Sequence, residues 1–153
     1  MEIQMLNSTP HNICSPMFWN IRPAYKELPM YLYTLDSYLS RKAFLLARLN
    51  SFTSNVSWGR FNHVLASERY CLHGCEVPDT LIHIVLDCPA FSAQRAEIQD
   101  YLTGLKSRYS SKFLIIKSML SERDLAKLIK VANALGNMLR VNSHCLSLRK
   151  DQV

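Results

Sequence analysis

Apolar residues recur at three- and four-residue steps in two long stretches of the chain, and this spacing predicts amphipathic α-helices. The first stretch covers residues 38–49, and Asp36 or Ser37 is placed to cap its beginning. The apolar stripe of this helix consists of Leu35, Leu39, Ala43, Leu46 and Leu49. Such a stripe predicts that one face of the helix packs on a core.

The second stretch begins near Ser121 and Asp124, which have the spacing of a capping box. Its apolar stripe consists of Leu125, Leu128, Ile129, Ala132, Leu135 and Leu139. Gly136 lies inside this segment and lowers its intrinsic helix stability by roughly 1 kcal/mol relative to alanine. The pattern still predicts a long C-terminal helix.

The remaining segments carry weaker patterns. Residues 1–34 contain four prolines among polar residues, which predicts an irregular N-terminal arm. Residues 51–70 are predicted to form a loop, and residues 89–102 a further helix that stops at Gly104. Residues 143–153 are predicted to form a flexible tail.

Three cysteines and one histidine lie within eighteen residues, in the pattern C-x3-C-x7-H-x4-C formed by Cys71, Cys75, His83 and Cys88. Thiolate and imidazole groups are the ligands of tetrahedral structural zinc sites. The pattern therefore predicts one structural zinc ion, with His73 as a weaker alternative ligand. The other interpretation is a set of ordinary buried cysteines and a core histidine, because cysteine also packs as a small hydrophobic residue.

Together these features predict a mainly α-helical fold. A small helical domain over residues 35–142 is built around a zinc knuckle at residues 71–88. The irregular arm precedes this domain, and the long C-terminal helix ends it. Apolar residues make up 48% of the 153 residues, so the chain can bury a core of its own.

Composition also narrows the possible functions. The chain lacks the G-x-G-x-x-G and G-x4-G-K-[ST] loops, and no small-molecule substrate is predicted. No apolar run approaches the about 20 residues that a membrane-spanning helix needs, and no secretory signal is present, so we expect an intracellular protein of the nucleus or cytoplasm. The formal charge of +6 favours acidic partners, RNA or DNA first, although such an excess also serves solubility.

Basic and aromatic residues that suit nucleic-acid binding occur in two places. Arg41 and Arg48 lie seven residues apart and share one face of the first predicted helix. Residues 58–70 interleave arginines with aromatic residues, which in single-strand binders hold phosphates and stack on bases. The predicted nucleic-acid-binding residues are Arg41, Arg48, Trp58, Arg60, Arg69 and Tyr70. A solvated helix face for the arginines, and packing around the metal for Tyr70, are the alternatives.

Several short motifs resemble one known family. They are Arg41–Asn50, Gly59-Arg60, Ser67–Cys71 and Cys88-Pro89-Ala-Phe91. With the four predicted ligands, they resemble the zinc-binding region that follows the polymerase in non-LTR retrotransposon reverse transcriptases, over roughly residues 38–103. The resemblance implies a module that helps to grip RNA or DNA through a zinc-held fold. The chain departs from the family in having three residues, rather than two, between the first two cysteines.

The catalytic part of that family is not recognisable in this sequence. Its polymerase needs paired aspartates that hold two metal ions, and no Asp-Asp pair occurs in the chain. We therefore expect a binding module that is not an enzyme. A protein-interaction module, or a non-functional retrotransposon-derived remnant in which zinc is purely structural, is the alternative.

Overall fold

The computed structural model describes residues 31–150, and this part of the chain is mainly α-helical. Its α-helices are Tyr31–Thr34 (α1), Tyr38–Arg48 (α2), Asn55–Phe61 (α3), Ser92–Ala96 (α4), Gln99–Arg108 (α5), Lys112–Leu120 (α6) and Leu125–Lys150 (α7). The described residues contain no strand, only an isolated antiparallel bridge between Tyr70 and Pro78. The mainly helical fold with a long C-terminal helix is thus confirmed. Residues 1–30 of the predicted N-terminal arm lie outside the described residues.

The core forms where α2 packs against α7, which make the most extensive helix–helix contact. The buried side of α2 consists of Ser40, Ala43, Phe44, Ala47 and Arg48. This face is rotated from the predicted stripe, because the side chain of Leu49 is 37% exposed while those of Leu39 and Leu46 are only half-buried. Small residues on α2 permit the two helix backbones to approach closely, which a stripe of leucines would prevent.

Gly136 on α7 lies at the closest point of this approach. A Cβ atom at this position would come within 3.2 Å of the Cα and Oγ atoms of Ser40. The Ser40 hydroxyl also donates a hydrogen bond to Asn133 Oδ1 at 2.7 Å, which fixes the crossing. Position 136 therefore favours glycine because a side chain would not fit at the crossing, although glycine lowers the intrinsic stability of the helix.

We expect Gly136→Ala to lower the free energy of unfolding by about 1 kcal/mol, because crowding at the crossing outweighs the gain in helix propensity. Gly104 is the matched control, since it lies inside α5 and a Cβ there would meet no atom within 4 Å. Gly104→Ala should raise the free energy of unfolding by roughly 0.5–1 kcal/mol. Urea denaturation measures both changes. If the two substitutions changed the free energy of unfolding in the same direction, this would contradict the close crossing.

The long helix differs from its prediction at both ends. Asp124 caps it, accepting a hydrogen bond from the Lys127 N–H at 3.0 Å, whereas the Ser121 hydroxyl donates to the Lys117 carbonyl. The helix then runs to Lys150, beyond residue 142 where a flexible tail was predicted to follow, and Leu146 is buried within that extension. The helix is thus capped by Asp124 alone, the residue directly before its first turn. Ser121 does not form the predicted capping box with it.

Two other predicted segments also need correction. Residues 51–70 are not all loop, because α3 lies within them, capped by Ser54, whose hydroxyl accepts a hydrogen bond from the Ser57 N–H at 3.1 Å. The single helix predicted for residues 89–102 is divided into α4 and α5, and α5 continues past Gly104. None of the helices in the described range is both long enough and apolar enough to cross a bilayer.

Candidate metal centre

Cys71, Cys75, His83 and Cys88 converge into one cluster, in which one ligand atom from each lies within 4.8 Å of the others. The side chains of Cys71, His83 and Cys88 are buried and that of Cys75 is half-buried. The group is a Cys3His set able to hold a metal ion, as the spacing of these residues predicted.

A widened helical turn brings the second pair of ligands together. His83–Asp87 form a π-helical turn, in which the Cys88 N–H donates to the His83 carbonyl at 2.7 Å. In an α-helix, residues five apart would point about 140° away from each other, because a turn contains 3.6 residues. A turn that closes over five residues brings His83 and Cys88 towards the same side instead. Thr80 begins the segment by accepting a hydrogen bond from the His83 N–H at 3.2 Å.

The first pair of ligands lies in a tight turn that the three-residue spacing permits. Gly74 has a φ of 83°, a conformation that residues with a side chain rarely adopt. The Cys71 N–H donates to the Val77 carbonyl at 2.9 Å, which closes the loop behind the turn. The His73 N–H donates to the Cys71 sulfur at 3.4 Å, which helps to hold this sulfur in the turn. Gly74 thereby accommodates the extra residue between the first two cysteines.

The distances within the cluster fit a tetrahedral metal site. The Cys88 Sγ atom is 3.7 Å from that of Cys71 and 4.0 Å from that of Cys75, well beyond a disulfide bond. Metal–sulfur bonds of about 2.3 Å would place neighbouring sulfurs of a tetrahedron about 3.8 Å apart. The Nε2 atom of His83 is buried without a hydrogen-bond partner among the described residues. Such an orphaned nitrogen is satisfied if it ligates the ion.

The electrostatics of the cluster are compatible with metal binding. Burial lowers the pKa of His83, so its imidazole is neutral at physiological pH and keeps a lone pair for a metal. Burial likewise raises the pKa of the Cys88 thiol to about 12, and the neighbouring Cys71 adds to this effect. Three adjacent thiols ionise only when a bound cation compensates their charge. Metal binding to these thiols therefore releases protons.

A buried polar network that the sequence analysis did not identify fixes the knuckle to the rest of the fold. Asp79 is fully buried, and its Oδ2 atom accepts hydrogen bonds from the Asn55 N–H at 2.6 Å and from Asn142 Nδ2 at 3.5 Å. Asn55 in turn donates through Nδ2 to the Tyr70 carbonyl at 2.7 Å. Burial raises the pKa of Asp79, although these donors oppose the rise. The network joins the loop before His83 to the start of α3 and to α7.

His73 belongs to this network and not to the metal cluster. Its Nε2 atom donates to Asn142 Oδ1 at 3.1 Å, and its ring packs edge-on against Phe91 with the centroids 4.9 Å apart. It is not part of the group of four ligand atoms. His73, the alternative ligand proposed from the sequence, thus contacts the long helix instead of the metal cluster.

The two arginines predicted to share a nucleic-acid-binding face of α2 hold structural positions. Arg48 is buried, with 9% of its surface exposed, and its Nη1 atom donates to the Leu120 carbonyl at 2.9 Å. Arg41 is half-buried, and its Nη2 atom donates to the Leu35 carbonyl at 2.9 Å. Periodicity placed them on one face correctly, but that face turns towards the protein, and both guanidinium groups already bind backbone carbonyls.

Of the nucleic-acid-binding residues predicted between positions 58 and 70, some hold structural positions and others are exposed. Arg69 lies over Gly59, and its Nε and Nη2 atoms both donate to the Val64 carbonyl, at 2.9 and 2.6 Å. Trp58 is half-buried on α3. Arg60 is exposed, and Tyr70 is 49% exposed. Of the six predicted residues, Arg60 and Tyr70 are the ones that the structure presents to a partner.

Comparison of the chain with protein-family models, with curated proteins and with solved structures gave no match. The resemblance over residues 38–103 therefore remains an interpretation of the motifs, and the function has to be argued from the residues of this chain.

Proposed function

We propose that the chain is a zinc-stabilised module that binds RNA or DNA, similar to the region after the polymerase in a retrotransposon reverse transcriptase. The observation that carries this proposal is the convergence of Cys71, Cys75, His83 and Cys88 on one point. Three thiols and one imidazole at tetrahedral spacing suit zinc better than the harder cations, which prefer oxygen. One zinc ion would hold the turn after Tyr70 against the helical core.

A structural role for the ion follows from the number of its ligands. Four protein ligands leave no open coordination position, whereas catalytic zinc sites keep one for water or substrate. We therefore propose that the module is not an enzyme. Thiol ligands of this kind also fit a reducing compartment, so we place the module inside the cell, in the nucleus or cytoplasm.

Charge and the resemblance support nucleic acid as the partner. The chain carries 18 basic and 12 acidic residues. Arg60 is exposed on α3, close in sequence to the knuckle that the ion would hold. An excess of positive charge attracts the phosphate backbone without regard to sequence.

A salt titration tests this proposal. We expect the affinity for a single-stranded oligonucleotide to fall steeply with salt, since each neutralised phosphate releases counterions. Contacts to about four phosphates would weaken binding roughly 50-fold between about 50 and 200 mM salt. Fluorescence anisotropy with labelled oligouridylate and oligodeoxythymidylate measures the slope and compares RNA with DNA. Binding that is absent, or insensitive to salt, would contradict the proposed function.

A protein-binding module is the second candidate, and exposed apolar side chains favour it. Phe61 is 81% exposed at the end of α3, and Leu65 is 65% exposed in the loop that follows. Large apolar side chains close together on a surface are typical of protein-interaction sites. A pull-down that recovers proteins but no nuclease-sensitive material would support this candidate over nucleic-acid binding.

A further inference from the structure

A surface groove lies between the start of α3, the segment before His83 and the beginning of α6. It has a volume of about 250 Å³. Its apolar lining consists of Phe52, Val56, Leu81, Ile82 and Phe113, and its polar lining of Asn50, Ser54, Ser57, Arg60 and Thr80. The apolar lining, called the floor below, includes the fully buried Phe52 and the half-buried Phe113, whereas Arg60 is exposed. The lining thus combines the apolar floor with one cation and three hydroxyl groups.

The signs of the charged side chains in its lining distinguish this groove from a larger cleft among the described residues. None of the described residues that line the groove is acidic, so no carboxylate among them competes for Arg60. The cleft between α5, α6 and α7, of about 570 Å³, is lined by Arg108, Arg123 and Lys127, but also by Asp100 and Glu122. Its cations face carboxylates of the same cleft. An anionic ligand is therefore better matched by the Arg60 groove.

The size and chemistry of the groove indicate what kind of ligand it takes. Its volume is below the range of sites that enclose a whole drug-sized molecule, and suits one flat ring system. The half-buried Phe113 offers an aromatic contact for a nucleobase, and Arg60 in the same lining suits the adjoining phosphate. The hydroxyl groups of Ser57 and Thr80 also line the groove and offer hydrogen-bond partners for a base edge or a ribose.

We propose that this groove receives one unpaired nucleotide of a bound single strand, with the base on the apolar floor and its phosphate on the Arg60 guanidinium. This inference rests on the proposed nucleic-acid binding and assigns it a specific site. The site differs from the stacking on Trp58 or Tyr70 that the sequence pattern predicted. Because a base must be unpaired to reach the apolar lining, such a site favours single-stranded over double-stranded nucleic acid.

The metal centre supports one wall of the groove. Thr80, Leu81 and Ile82 line it and directly precede the ligand His83. The Thr80 hydroxyl accepts a hydrogen bond from the His83 N–H at 3.2 Å, so the wall and the ligand move together. An ion bound to His83 would therefore keep the groove in shape without contacting the nucleotide.

Matched substitutions in the metal-loaded full chain test the groove. Arg60→Gln removes the cation of the groove, and Arg123→Gln removes an equally exposed cation from the other cleft, so both change the net charge by the same amount. Ser57→Phe places a ring in the groove at a half-buried position of α3. Binding of labelled oligouridylate is measured by anisotropy at constant salt, with circular dichroism as the check of folding.

We expect Arg60→Gln and Ser57→Phe each to weaken binding tenfold or more, and Arg123→Gln to change it less than twofold. Equal losses for the two arginine variants, with none for Ser57→Phe, would overturn the groove and leave nucleic-acid binding as a diffuse charge effect. No binding by the metal-loaded parent at low salt would overturn the proposed function itself. Displacement of the oligonucleotide by an acidic aromatic peptide, but not by uridine monophosphate, would assign the groove to a protein partner.

Discussion

Replacing Cys88 with serine is expected to abolish metal binding and to unfold residues 70–90. Cys88 is fully buried, and its sulfur lies close to those of both Cys71 and Cys75, so it is the ligand that joins the two halves of the centre. Structural zinc contributes about 10–16 kcal/mol to the folded state of small zinc modules, as much as the whole stability of a typical domain. In the variant, hydrogen exchange should show that the backbone amides of Ile84 and of the residues next to Cys88 have lost their protection. Its melting temperature should also fall.

Cys145→Ser is the matched control for this substitution. Cys145 is a half-buried free cysteine on α7 and lies outside the metal cluster. The control should retain the metal, and its free energy of unfolding should stay within about 0.5 kcal/mol of that of the parent protein. Equal stability of the two variants would mean that the thiols pack as ordinary small hydrophobic residues and that the knuckle needs no ion.

Asn142→Leu is expected to lower the free energy of unfolding by about 3 kcal/mol. Leucine has the same branched shape and number of side-chain heavy atoms as asparagine, but it removes all hydrogen bonds of a fully buried amide. The Thr53 carbonyl, 3.1 Å from Asn142 Nδ2, would lose its donor, and His73 would lose its acceptor. Each buried polar group left without a partner costs about 1–3 kcal/mol. Urea denaturation of the metal-loaded protein measures the change.

Asn137→Leu is the comparison for the network substitution. Asn137 lies on the same helix, is half-buried, and accepts a single hydrogen bond from Arg140 at 3.2 Å. Its replacement should change the free energy of unfolding by less than about 0.5 kcal/mol. A loss at Asn142 no larger than at Asn137 would show that the network does not fix the knuckle to α7.

The parts of the fold that the sequence predicted well depend on local patterns. The helices around residues 38–49 and 125–139 follow from apolar spacing, and the metal ligands from their proximity along the chain. The shift of the buried face of α2 does not follow from hydrophobicity, because the close crossing at Gly136 selects small side chains over leucines. Tertiary packing, rather than propensity, decides which side of such a helix is buried.

The polar network could not be predicted, because its members are far apart in the sequence. Asp79 and Asn142 are separated by 63 positions, and the Asn55 N–H at the start of α3 donates to Asp79 from 24 positions away. One signal was present, however. Asn142 continues the inward spacing from Leu139 to Leu146, and a polar residue on an apolar stripe indicates a buried hydrogen-bonding position.

The predicted nucleic-acid-binding residues show the limit of reading charge from sequence. Arg48 and Arg60 are the same residue type on neighbouring helices, yet one binds a backbone carbonyl in the core and the other is exposed. Arginine fills either position because its long stem packs while its guanidinium finds an acceptor. Only the arrangement of the helices separates a structural arginine from one available to phosphates.

The metal content of the chain tests the central claim most directly. The protein is purified under reducing conditions without chelator, and its zinc is determined by mass spectrometry against protein concentration. We predict one zinc ion per chain, retained through dialysis and lost on denaturation. A folded, monodisperse chain that contains no zinc and takes up none when it is added would contradict the account of Cys71, Cys75, His83 and Cys88 as a metal centre.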